Sequence, residues 1–244
     1  MTIEYVTAQW NPYTGCLHGK DICATVDTCW ARDMSRRFKQ VCGGDFQPRY
    51  FSDRLDIPYQ WHKPRRVAVS FMGDLFGDWE WADDGSLPGS EPVHMDIVRR
   101  FILNVVWESP QHTFLFLTKQ PKNLAQWNPW PENAWVGCSI TGAETPERRD
   151  FMLSSLRLVK APIRWISYEP MLAELPIPFW ESWIDWVVFG AQSGRGGHKL
   201  EPKAVRRQTF AAAFLGIPIW EKDNLSRYLN GPLMQELPVG TGVG

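Results

Sequence analysis

Short apolar runs alternate with amphipathic stretches along most of this chain. The clearest runs are 66–71, 113–117, 134–140, 163–167, 186–190 and 217–220, rich in β-branched and aromatic residues. Each is too short for a helix and is bounded by polar turns, so each is predicted to be a buried strand. Between them, residues 92–108 carry apolar positions at spacings of three and four and stop at Ser109-Pro110. Residues 145–159 open on T-P-E-R, with proline at the first helical position and an acid in the first turn. Residues 203–215 precede Gly216, a C-terminal stop. The alternation predicts parallel βαβ units in an α/β fold, with a partial or full (β/α) barrel leading and a doubly wound open sheet as the alternative. A single domain is expected over 1–244, with a cysteine loop at about 10–31 and a flexible tail at about 237–244.

In either architecture ligands sit beyond the C-terminal ends of the strands. Those ends carry Gly73-Asp74, Thr118-Lys119, Ser139, Tyr168-Glu169, Gln192-Ser193 and Lys222-Asp223. A polar or charged group at every strand end is read as one converging pocket rather than as solvated turns. Formal net charge is −1, so affinity for nucleic acid has to come from a local basic face. Basic residues cluster at 62–66, at Arg36, Arg37 and Lys39, and along 199–207. Trp79, Trp81, Trp127 and Trp130 fall in loops, where indoles serve as stacking platforms for bases. The chain shows neither a long apolar span nor a signal-peptide pattern, so no membrane and a cytoplasmic location are expected. No P-loop, His-Glu-x-x-His or Ser-His-Asp signature stands out, which leaves hydrolytic and phosphoryl-transfer chemistry without support.

Three of the five cysteines, Cys16, Cys23 and Cys29, lie within fourteen positions, separated by six and five residues. A reducing cytosol disfavours a disulfide knot and leaves metal binding or catalysis. Zinc wants four ligands, and His18 or Cys42 would complete Cys₃His or Cys₄, although the usual paired Cys-x-x-Cys hooks are absent. A four-iron four-sulfur cluster on three cysteines leaves one iron open, the requirement for reductive cleavage of S-adenosylmethionine. Soft thiolates suit either metal. The loop precedes a predicted helix over 30–41 with Ala31, Met34, Phe38 and Val41 on one face. Cys138, inside a predicted strand, reads as a small buried hydrophobe.

The stretches W-N-P-Y-T-G-C, C-W-A-R, K-P-R-R-V-A-V-S-F-M-G-D-L-F-G-D, Q-H-T-F-L-F-L-T-K-Q-P, W-V-G-C-S-I, I-S-Y-E-P and V-V-F-G-A-Q-S-G follow one another from about Trp10 to about Leu225. Together they resemble the three-cysteine phage protein family, a divergent relative of the radical S-adenosylmethionine enzymes. Its members often place a closer Cys-x-x-Cys before the aromatic residue than the five-residue gap found here. The resemblance implies a four-iron four-sulfur cluster on Cys16, Cys23 and Cys29, with Trp30 beside it or against the adenine. It implies S-adenosylmethionine held by Asp74, Thr118, Lys119, Ser139, Glu169, Gln192 and Ser193, with Lys222 closing the far side. Lys119 would meet the methionine carboxylate or a substrate phosphate. The implied partners are a nucleobase, nucleotide or phage DNA and an electron donor such as flavodoxin or ferredoxin, in the host cytoplasm. A zinc-stabilised nucleic-acid-binding protein without catalysis is the alternative.

Overall fold

The structure, a computed structural model, describes residues 3–39, 43–87, 89–176, 179–192 and 198–238. Seven strands form one sheet in which every pairing is parallel: β1 (Ala8–Trp10), β4 (Arg66–Val69), β7 (Thr113–Thr118), β8 (Ala134–Ile140), β9 (Ile163–Tyr168), β10 (Trp186–Phe189) and β11 (Ile219–Glu221). Their order across the sheet is their order in the chain. A doubly wound sheet reverses direction at a switch point; this one does not, so the open-sheet alternative is corrected to a half-barrel of parallel strands.

The sheet's two faces explain the sequence pattern. One side packs against α2 (Met95–Glu108), α3 (Pro146–Arg157) and α4 (Pro202–Phe214). There Val67, Phe114, Phe116, Val136, Ile166 and Val187 meet Val98, Ile102, Met152, Leu156, Val205 and Ala212. The other, concave side is filled by Tyr5, Trp135, Trp165 and Trp186 over Ala68, Leu115 and Val188. Both faces are apolar, so the strands read as continuous hydrophobic runs without alternation. The three tryptophans and Tyr5 meet edge-on or tilted at ring separations of 5.3–6.0 Å, a packing that removes a large apolar area from water.

All six predicted strands are present, with ends shifted by no more than a few residues. Four findings depart from what the pattern predicts. The helix predicted from 92 begins at Met95, because Val93–His94 form the short strand β6 and His94 caps the helix through the Asp96 amide. The helix after the cysteines, α1 (Trp30–Arg37), ends before residue 41 and buries Ala31 and Ser35 while Phe38 is 52 % exposed, so of the expected face Ala31 packs and Phe38 does not. Val41 and Cys42 lie outside the described residues. Finally, a second sheet of β2 (Tyr13–Thr14), β3 (Arg49–Tyr50), β5 (Trp81–Asp84) and β6 sits beside the barrel, its Tyr13, Tyr50 and Ala82 buried in the helix-side core. Near the end of the chain, Leu237 packs on the concave tryptophans, so part of the segment expected to be flexible is docked; residues 239–244 lie outside the described residues.

Candidate metal and cofactor site

Parallel strands gather their C-terminal ends on one rim, and the cysteine loop is strapped to it. The loop leaves β2 at Gly15, where φ is +99° and an added Cβ would lie 2.1 Å from the Gln47 carbonyl oxygen. Only glycine meets both conditions. Backbone bonds then tie Gly15 to the segment after β4: its amide donates to Met72 O at 3.1 Å and its carbonyl accepts from Asp74 N at 3.1 Å. The chain continues through a turn closed by Cys23 N to Gly19 O at 2.9 Å, and a 3₁₀ turn at Val26–Thr28. Cys29 is the N-cap of α1, its carbonyl accepting from Asp33 N at 3.1 Å.

Asp74 is the knot of the assembly. The residue is 5 % exposed, and its carboxylate accepts from four groups. His18 Nε2 lies 2.8 Å from Oδ2, the Lys119 amide donates to the same oxygen at 2.9 Å, Thr118 Oγ1 donates to Oδ1 at 2.7 Å, and the Phe76 amide at 3.1 Å. Burial pushes this carboxyl's pKa up; hydrogen bonds from His18, the Lys119 amide and Thr118, with the charge of His18, more than reverse it and hold it below the ordinary value. Asp74 thus joins the cysteine loop, the end of β4 and the end of β7. Thr118 is equally committed, its hydroxyl also accepting from Gln120 N at 2.9 Å.

Cys16 and Cys29 are partly buried and Cys23 is buried, all three as free thiols. The Cys16 thiol is pushed up to about 12, first by burial, then by the Asp74 charge, and further by Cys23 and Cys29, while the His18 amide at 3.5 Å opposes the rise. Cys16 thus lies within electrostatic reach of a buried carboxylate and of the other two thiols of the loop. Three free thiols on one short loop are soft donors, so the donor chemistry fits a thiolate-bound metal. Among the described residues no three His, Cys, Asp or Glu side chains already stand in metal-ligating geometry. Trp30, 37 % exposed, follows Cys29 directly.

Around the rest of the rim the expected residues form a row. Lys119 Nζ donates to Ser139 Oγ at 2.8 Å, and Ser139 lies 3.4 Å from the Glu169 carbonyl oxygen. Glu169, past β9, pairs with Lys222, past β11. Between them runs β10, and the pair spans it because residue 190 is glycine: a Cβ there would lie 2.8 Å from the Glu169 carboxyl carbon. Gln192 reaches the cysteine loop itself, its Nε2 donating to Thr28 Oγ1 at 3.3 Å. The loop is therefore attached on both sides of the mouth, at Asp74 and at Gln192. Ser193 lies outside the described residues.

Sequence reasoning missed Asp74's partners, since nothing in the spacing of His18, Thr118 and Asp74 announces a shared carboxylate. It also missed Arg148, whose Nη2 donates to Lys119 O at 3.1 Å, and Asn224, which brackets the Ala191 backbone with bonds of 3.0 and 2.8 Å. The tryptophan platform needs correction. Trp130 is buried between Phe76 and Phe116, Trp127 packs against the core, and Trp79 donates to Tyr13 Oη at 2.8 Å. Of the four, Trp81 alone is exposed, at 55 %, with its ring edge-on to His94. Apolar loop tryptophans in a half-open fold are worth more under the loops than on them.

A family model described as "Protein of unknown function (DUF5131)" matches residues 1–223. No curated protein and no solved structure matches the chain.

Proposed function

The chain belongs to the DUF5131 family, and we propose that it serves there as a radical S-adenosylmethionine enzyme acting on a nucleobase, nucleotide or DNA strand. The observation that carries this reading is the three-thiol loop strapped across the C-terminal rim of a parallel half-barrel, by His18–Asp74 on one side and Thr28–Gln192 on the other. Cys16, Cys23 and Cys29 hold a four-iron four-sulfur cluster, and a phage setting and an electron donor such as flavodoxin or ferredoxin belong to the same proposal. Held there, such a cluster would supply one electron to S-adenosylmethionine, breaking its sulfur–C5′ bond to give methionine and a 5′-deoxyadenosyl radical.

The chain's own residues bind, orient and exclude water. Asp74 fixes the position of the first thiol's loop through His18, rather than meeting the cofactor with a free oxygen. Glu169, half-buried beside Lys222, accepts a ribose hydroxyl or an amine. Lys119 and Ser139 offer donors, and Gln192 holds the loop against the rim. The indoles of Trp135, Trp165 and Trp186 fill the concave side and exclude water from it.

A zinc-stabilised nucleic-acid-binding protein is the second reading. It is favoured by the His18 Nε2–Asp74 bond, the carboxylate–histidine arrangement found behind zinc ligands. Metal and sulfide analysis of anaerobically purified protein separates the two. The proposal expects about four irons with matching sulfide per chain, and an electron paramagnetic resonance signal that changes with S-adenosylmethionine. About one zinc per chain and no response to the cofactor would replace it by the second reading.

A further inference from the structure

Lys119 differs from other buried and partly buried cations of the molecule. Arg49, Arg99, Arg164 and Lys222 each face a carboxylate: Asp45, Asp96, Asp185 and Glu169. Among the described residues Lys119 has no such partner; its ammonium reaches only the Ser139 hydroxyl, at 2.8 Å. The carboxylates of this part of the rim are spoken for. Asp74 holds His18, Thr118 and the amides of Phe76 and Lys119. Glu144 takes the Thr141 amide at 2.9 Å, the Thr141 hydroxyl at 2.8 Å and the Gly142 amide at 2.8 Å. Glu169 is paired with Lys222.

A second cation stands at the same strand end. Arg148, near the start of α3, donates from Nη2 to the Lys119 carbonyl, and its Nε is buried without a hydrogen-bond partner. It too faces no carboxylate among the described residues. A buried guanidinium donor left unmade is costly, and two cations on one residue with no available acid repel each other. Ser139, 7 % exposed, sets a hydroxyl next to the ammonium. Positive charge with N–H and O–H donors, and no competing carboxylate, is an arrangement suited to an anion that arrives with a ligand.

We propose that Lys119, with Ser139 beside it and Arg148 behind it, receives a phosphate group of the substrate. The substrate is then a nucleotide or a nucleic-acid strand and not a free base or nucleoside. This rests on the reading of the rim as the site of a nucleobase-modifying enzyme, and it narrows that site's substrate class.

Calorimetric titration of the purified full-length chain with deoxynucleoside monophosphates, the matching nucleosides and a short single-stranded oligonucleotide tests it. Metal content is determined on the same preparations, so failure of the cluster reading is scored separately. The monophosphates are expected to bind at least about tenfold more tightly than their nucleosides, with Lys119→Gln removing that advantage and Lys119→Arg retaining most of it. Arg148→Gln should reduce it in part. Tenfold tightening with the oligonucleotide alone, equally sensitive to Lys119→Gln, assigns the phosphate to a strand. Equal affinity for nucleotide and nucleoside with no tighter oligonucleotide binding, or affinities unchanged in a Lys119→Gln chain that melts like the parent, overturns the proposal.

Discussion

At the scale of single residues, Asp74 carries the most structure per atom. Its two oxygens answer four donors from three segments, so the charge and both acceptors matter together. Asp74→Asn keeps the shape but turns one acceptor into a donor facing donors. Leaving buried partners unmatched in this way costs on the order of 2–4 kcal/mol, which urea denaturation would register as a lower midpoint with an unchanged slope. A loss below about 1 kcal/mol would mean that the loop is held by its backbone bonds to the β4 segment instead. Gly190 is the complementary case, a residue required for what it lacks. Gly190→Ala drives a methyl group to 2.8 Å from the Glu169 carboxyl carbon and should cost about 1–3 kcal/mol by overpacking. The clash is with a side chain, so Gly190→Ala should cost much less in a Glu169→Ala background than in the parent; an equal cost in both backgrounds would make backbone strain the cause.

Elements were legible where their apolar pattern was long and decided by burial alone. The run at 134–140 is a strand with all seven residues buried, as its unbroken hydrophobicity indicates. The two- to four-residue strands of the small sheet were not legible. Trp81–Asp84, with two adjacent acids, has no strand-like composition and is held by its pairings with β3 and β6. The direction of α1's packing was misjudged because Ser35, a polar residue, takes the buried position that Phe38 would be given on hydrophobicity. The segment leading into β3 offers a pH test. Asp45 is clasped by both Nη groups of Arg49, and that hydrogen bonding lowers its carboxyl to about 2. A depressed carboxyl contributes stability that is complete above its unfolded value near 3.8 and lost as pH falls toward 2. The pair is half-exposed, so the contribution is no more than about 1 kcal/mol. The stability difference between the parent and Asp45→Asn should be level above about pH 5 and vanish near the folded pKa; a difference that persists unchanged into acid would show that the charge contributes nothing.

For the whole molecule, strand order decides what the sequence pattern left open. Alternating strands and helices are common to barrels and open sheets, and only the observed succession of neighbours separates them. The rim was legible in outline, because a polar group after each apolar run is visible in sequence. Which of those groups remain available to a ligand was not legible, since that depends on pairings such as Lys222–Glu169 across Gly190 and Asp74–His18 across 56 positions. Asp74–His18 and Gln192–Thr28 attach the cysteine loop over the mouth, and the central claim is that the thiols there work with S-adenosylmethionine. The most direct test is the formation of 5′-deoxyadenosine from S-adenosylmethionine by the anaerobically reconstituted, chemically reduced protein, followed by mass spectrometry. The account predicts that the parent chain forms it and that Cys16→Ala, Cys23→Ala and Cys29→Ala lose it at least about a hundredfold, with Cys138→Ala close to the parent because Cys138 is buried in β8 among the helix-side core. No 5′-deoxyadenosine from a chain carrying its full iron, or equal yields from the parent and the cysteine-loop variants, would contradict it.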